Sequence, residues 1–202
     1  MDERTRSLVR LAASMTVDES VQVKAMDQAA AIAPVAAEEV LLQSYLFLGY
    51  PVALNALGLW RRRTEQPVRD PLDEEGVDWR QRGVEVCRKV YGGQYETLRE
   101  VLAGIHPELD AWAVVEGYGK VLGRPGLELK LRELCIAAQL SGTDASRQLH
   151  SHLRGCLNVG ATADEVDAAL RAVEDVVGDR RAREARRVWD RVREGWLSKQ
   201  EG

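Results

Sequence analysis

The sequence holds no pair of cysteines spaced to chelate a metal or to cycle between thiol and disulfide. Cys87, Cys135 and Cys156 are odd in number and form neither a Cys-x-x-Cys nor a His/Cys ligand pattern. They read as buried thiols in a reducing compartment, not as a disulfide framework or a zinc site. No stretch reaches about 18 apolar residues without a charge, so no membrane span is expected. The N-terminal MDERTRSLVRLAAS opens on acids. It lacks a leader's apolar core and small-residue cleavage site, so the expected compartment is the cytoplasm. Neither sign of charge dominates: 28 Lys and Arg against 32 Asp and Glu leave −4. That balance gives no footprint for nucleic acid or an anionic membrane. Alternating β-branched runs are absent too, which leaves little to build strands from.

What remains is helical. A chain of 202 residues, 45% of them hydrophobic, is long enough to bury a core without staples. Glycines and prolines fall where helices end, and the periodicity predicts helices near 2–15, 17–31, 36–48, 51–64, 78–91, 94–103, 108–122, 127–141, 144–158, 163–177 and 179–196. Thr16-x-x-Glu19 and Thr162-x-x-Glu165 have the form of capping boxes. Gly49 suits a helix end and Pro51 the first turn of the next helix.

The segment 64–77, TEQPVRDPLDEEGV, has two prolines and five acids and reads as a linker. It separates two related halves, 1–63 and 78–202. Arg6, Leu8, Ala12, Asp18, Ser20 and Gln22 recur 126 places later as Arg132, Leu134, Ala138, Asp144, Ser146 and Gln148. After a slip of three, Leu41, Gly49, Ala53, Ala56, Trp60 and Arg62 recur as Leu170, Gly178, Ala182, Ala185, Trp189 and Arg191. A duplicated helical unit is expected, each copy covering a face the other cannot.

The second half resembles the carboxymuconolactone decarboxylase family, which includes the alkylhydroperoxidase D-type proteins. The residues that carry the likeness are YGKVLGRPGLELKLREL (118–134) and HLRGCLNVGATADEV (152–166). It spans about 94–195 and is degenerate over 5–63, where AAEEVLLQSYLFLGYPVALNAL (36–57) is the recognisable part. The resemblance implies an all-α bundle of antiparallel helices and a homo-oligomer, a trimer or a hexamer. Likeness to the alkylhydroperoxidase branch would further imply a Glu, a CxxC pair and a His as proton relay. On this chain the Glu and the His fall on Glu133 and His152, while the thiol positions hold Ala145 and Gln148. Alanine and an amide supply neither attacking nor resolving thiolate, so a thiol peroxidase is not expected.

Glu133 shares a helical stripe with Leu129, Ile136, Ala137 and Leu140, and His152 one with Leu149, Leu153 and Cys156. Both side chains should point inward from consecutive helices joined by a short turn, and so meet. Two outcomes follow: a buried polar pair that fixes register, or a catalytic pair. In a cofactor-free decarboxylation or proton shift on a small carboxylic acid or lactone, His152 would be the acid or base, since imidazole titrates near neutrality. Glu133 would orient it. Arg124 or Arg154 would meet a substrate carboxylate and Tyr118 would line the pocket, although helix capping, a solvated face and a core ring are the plainer roles for these three. No cofactor is called for. His150 and His152 lie two apart on a helix and make a poor metal chelate. His106 sits in an exposed turn before a proline. RPGLELK lacks the composition of a phosphate loop. The basic stretch 179–196 carries interleaved acids and suits a solvated, ion-paired face. In the first half Ser7 and Met26 stand where Glu133 and His152 stand, so at most one site per chain is expected. A non-catalytic oligomeric helical or ligand-binding protein is the alternative to an enzyme.

Overall fold

A computed structural model describes residues 1–198, and every regular element among them is a helix. Residues 199–202, the end of the repeat expected over 78–202, lie outside the described residues. The first half comprises α1 (Glu3–Ser14), α2 (Glu19–Ile32), α3 (Pro34–Gln43), the single turn α4 (Tyr45–Leu48) and α5 (Tyr50–Thr64). Three helices then follow: α6 (Trp79–Tyr91), α7 (Tyr95–Ile105) and α8 (Pro107–Trp112). The last runs directly into a π-helical segment, Ala113–Leu122. The chain ends in α9 (Leu129–Ser141), α10 (Ser146–Asn158), α11 (Ala163–Arg171), the turn α12 (Glu174–Val177) and α13 (Asp179–Leu197).

Helices α1 and α9 pack together at the centre. On one side α2 lies on α1 and α5; on the other, α10 lies on α9, α6 and α13. Leu8, Leu11, Trp60, Ile136, Leu153 and Trp189 are sealed from solvent in this core. The two outer sets share an order and nearly share lengths: α1 to α5 have 12, 14, 10, 4 and 15 residues, α9 to α13 have 13, 13, 9, 4 and 19. Gly49 (φ 82, ψ 163) and Gly178 (φ 80, ψ 158) precede the last helix of each set. A side chain rarely adopts that left-handed φ. Nothing in 65–78 is helical, but the segment is tied down, with Arg69 on Glu38 at 2.9 Å and Arg82 on Glu74 at 2.7 Å.

Local chemistry explains where the helices depart from expectation. The Thr162 box forms in full, with the Glu165 amide donating to Thr162 Oγ1 at 3.1 Å and the Thr162 amide to Glu165 Oε2 at 2.7 Å. The Thr16 box does not form. Its hydroxyl donates back to the Ala13 carbonyl at 2.8 Å, and α2 starts after Asp18 instead. The helix expected over 36–48 breaks at Ser44, whose hydroxyl donates to Leu41 O at 2.6 Å and competes with the helical ladder. The one expected over 163–177 is interrupted at 172–173.

A buried ionic cluster joins the halves. The guanidinium of Arg132, at 0% exposure, donates to Glu39 Oε2 (2.9 Å) and Gln43 Oε1 (3.1 Å) on α3. It also donates to the carbonyls of Leu127, Arg124 and Pro125. Gly126, at φ 95, turns the chain so that those carbonyls converge. That is the structural work of the Arg-Pro-Gly turn.

Removing one member of such a cluster strands the other charges, so Arg132→Met is expected to lose about 3–5 kcal/mol in urea unfolding; unchanged stability would refute the joint. Glu38 gives a pH test. Burial pushes its carboxyl up, but hydrogen bonds from Arg61, Arg69 and Trp60 outweigh that and hold it below the ordinary 4.5. A depressed folded value stabilises above the unfolded pKa and loses that stability as pH falls through the folded one. Glu38→Gln should therefore be less stable than the parent at neutral pH, and the gap in Tm should narrow below 4.5.

Candidate functional site

The site starts from the rotation of α9. Arg132 is anchored toward α3, and the next residue projects about 100° around the helix, which turns Glu133 toward α10. There Gly155 leaves the space: a Cβ on it would lie 2.5 Å from Glu133 Oε2 and 2.9 Å from Val90. With no side chain in the way, α10 seats close and brings His152 Nδ1 to 2.8 Å from Glu133 Oε2. Glu133 is fully buried and His152 retains 5% exposure. Phe47, on the turn α4 of the other half, sets its ring edge-on to the imidazole, centroids 5.2 Å apart.

An ionised Glu133 makes Nδ1–H the donor and leaves the lone pair on Nε2. The second carboxylate oxygen, Oε1, is buried and has no hydrogen-bond partner among the described residues. Buried carboxylate oxygens are seldom left so. The surrounding groups resist ionisation. Burial first pushes the Tyr118 hydroxyl and the Cys156 thiol far up; the Glu133 charge comes next for Cys156 and follows Tyr91 for Tyr118. The same two influences take Tyr91 to about 12 and contribute to Cys87 at about 12. Cys135 is raised to about 12 by burial. None of the three thiols is poised as a nucleophile.

Of the residues expected here, the structure joins Glu133 and His152 directly and brings Tyr118 near. Tyr118 is a core ring, edge-on to Tyr91 with centroids 6.0 Å apart. It sits on the π-helical segment, a geometry common at functional sites. There the backbone touches α6, since a Cβ on Gly119 would collide with the Trp79 carbonyl. Arg124 is not brought to the pair; its Nε contacts Glu39 Oε2 at 2.9 Å. Nor is Arg154, two residues beyond His152 and so about 200° around α10, where it lines an outer cleft with His150. His106 is exposed and caps α8, its Nδ1 accepting from the Glu108 amide at 3.1 Å. Ser7 and Met26 are both buried in the first half. Reasoning from the sequence missed Phe47, Tyr91 and Gly155. Only Gly155, between two buried stripes, carried a signal. Neither Glu133 nor His152 lines the main surface clefts, and among the described residues no three His, Cys, Asp or Glu converge as metal ligands.

An all-α chain with a carboxylate–imidazole pair sealed between two helices is thus the class that fold and site define. Residues 108–191 match the model of the Carboxymuconolactone decarboxylase family. The chain is also similar to Peroxisomal protein 2 of Schizosaccharomyces pombe, 30% identical over 135 residues. That match covers 65% of this chain and 63% of the yeast protein, under two thirds of the latter's length.

Gly155→Ala tests the packing that makes the pair. The added methyl crowds the carboxylate, and overpacking of this kind costs about 1–3 kcal/mol. The variant should unfold at lower temperature, and the His152 ring resonances should shift in 15N NMR spectra. Unmoved ring signals would show that Gly155 does not set the contact.

Proposed function

We propose that the chain is a cofactor-free lyase or isomerase acting on a small carboxylic acid or lactone, with the Glu133–His152 pair as its proton-transfer device. The observation that carries this is the 2.8 Å contact between a fully buried carboxylate and an imidazole, with Oε1 of that carboxylate unmatched. In this mechanism Nε2 of His152 takes a proton from the substrate or returns one. Glu133 holds the ring and stabilises the imidazolium as it forms, and carbanion character is delocalised into the substrate's own carbonyl. The family match supports the assignment, and the raised thiols argue against peroxidase chemistry.

One observation favours the alternative, a non-catalytic oligomeric or ligand-binding helical protein: the pair is sealed, with Phe47 over the ring. Under either proposal we read the chain as a duplicated unit, on the strength of the matched helix lengths and the Gly49 and Gly178 dihedrals. We also read it as a homo-oligomer, trimer or hexamer, since Tyr50, Leu54, Ile105 and Trp112 are each at least 60% exposed. Apolar surface of that kind is usually covered. We place it in the cytoplasm, a reducing setting that suits three free cysteines; the yeast relative's name assigns that protein to the peroxisome.

The experiment is a screen of lactones and keto acids followed by His152→Ala. Loss of the proton carrier should lower kcat by about 10²–10⁴-fold, while circular dichroism stays helical. Turnover that survives in the variant would remove His152 from the reaction; a folded protein inert toward the whole panel would favour the non-catalytic alternative.

A further inference from the structure

Outside the buried pair, one concave site stands out by its charge. Two adjoining lobes, of about 190 and 320 Å³, lie between the end of α6, α7, the outer face of α10 and α13. His150, Arg154, Tyr91, Gln94 and Asn158 line both lobes, and Arg191 closes the larger one from α13. No Asp or Glu is among the lining residues. Several surface arginines are met by carboxylates, among them Arg10 by Asp175, Arg63 by Asp27 and Arg186 by Asp167 and Glu174, and a cleft that gathers Arg6, Arg10 and Arg171 also holds Glu3 and Asp175. Among the described residues Arg154 and Arg191 have no such partner, although the whole chain carries −4. The imidazole of His150 registers the same imbalance. Its pKa is lowered by burial first and then by the charges of Arg154 and Arg191.

We infer that this cleft is a binding site for an organic oxyanion, a carboxylate or phosphate group carried on a small apolar body. The two guanidiniums supply charge-assisted donors in fork geometry. The Gln94 amide and His150 add neutral ones. Asn158 is held in place, its Nδ2 donating to the Val90 carbonyl at 2.7 Å. Val90, Leu98 and Val101 line the smaller lobe, and Trp196 flanks the larger, which accounts for the apolar part of the ligand. The small volume fits a metabolite, not a polymer. Because Arg154 and His150 point away from His152 around α10, this site is distinct from the proton-transfer pair and stands whether or not that pair turns over.

Titration calorimetry on the full chain tests the assignment, with benzoate, phenyl phosphate and inorganic phosphate as probes. Saturable one-to-one binding is expected, weakened about tenfold by Arg154→Gln and again by Arg191→Gln, as loss of a charge-assisted bond implies. Arg193→Gln removes the same charge from the same helix outside the cleft and should leave the affinity unchanged. His152→Ala should also bind normally, which separates this result from any failure of turnover. Tighter binding of benzoate than of phenyl phosphate assigns a carboxylate and the reverse a phosphate; either supports the site. No saturable binding of any probe up to about 10 mM, a limit near the weak end of specific recognition, would overturn it. So would equal weakening by Arg193→Gln.

Discussion

The arrangement hangs on a guanidinium that water never reaches. A buried arginine is tolerable only when acceptors surround it, and those around Arg132 come from two places far apart in sequence. Glu39 and Gln43 belong to the first half, and three carbonyls belong to the turn just before α9. Meeting that demand fixes the distance between α3 and α9, the shape of the Arg-Pro-Gly turn and the rotation of α9 together. The orientation of Glu133 follows, because it is the next residue along. The pair with His152 is therefore downstream of a structural ion cluster that touches neither member.

The two halves differ most where their polar groups find partners. Trp60 and Trp189 are both sealed in the core, but the indole N–H of Trp60 donates to Glu38 at 3.2 Å while that of Trp189 has no partner. Asp167 on α11 is one methylene shorter than Glu38 and is turned toward Arg171 and Arg186. Likewise Ser7 on α1 lies buried with its hydroxyl unmatched, whereas one oxygen of Glu133 on α9 is answered by an imidazole. Buried carboxylates thus occur in both halves, answered by arginines at Glu38 and Glu39 and by an imidazole at Glu133.

Much of this was legible in the residues. The apolar stripes around Glu133 and His152 pointed both inward, and the short connection at 142–145 made them neighbours; the distance followed. Pro51, Gly49 and the Thr162 box marked helix ends that the structure reproduces. What could not be read was tertiary. Thr16 looks like a cap until its hydroxyl finds the Ala13 carbonyl. Arg124 looks available until Glu39, from the other half, arrives beside it. The basic run on α13 reads as a uniformly solvated face, and only the packing of α10 against it separates Arg191, which lines clefts on both sides of that contact, from Arg181, paired with Asp144 on the surface.

Phe47 gives the arrangement a last consequence. The ring that shields the imidazole is carried by a four-residue turn bounded by Ser44, where the helix breaks, and Gly49, where the backbone reverses hand. A turn from residues 45–48 therefore completes the enclosure of an acid and an imidazole that both come from residues 133–152, so the seal exists only once these distant parts of the chain have packed.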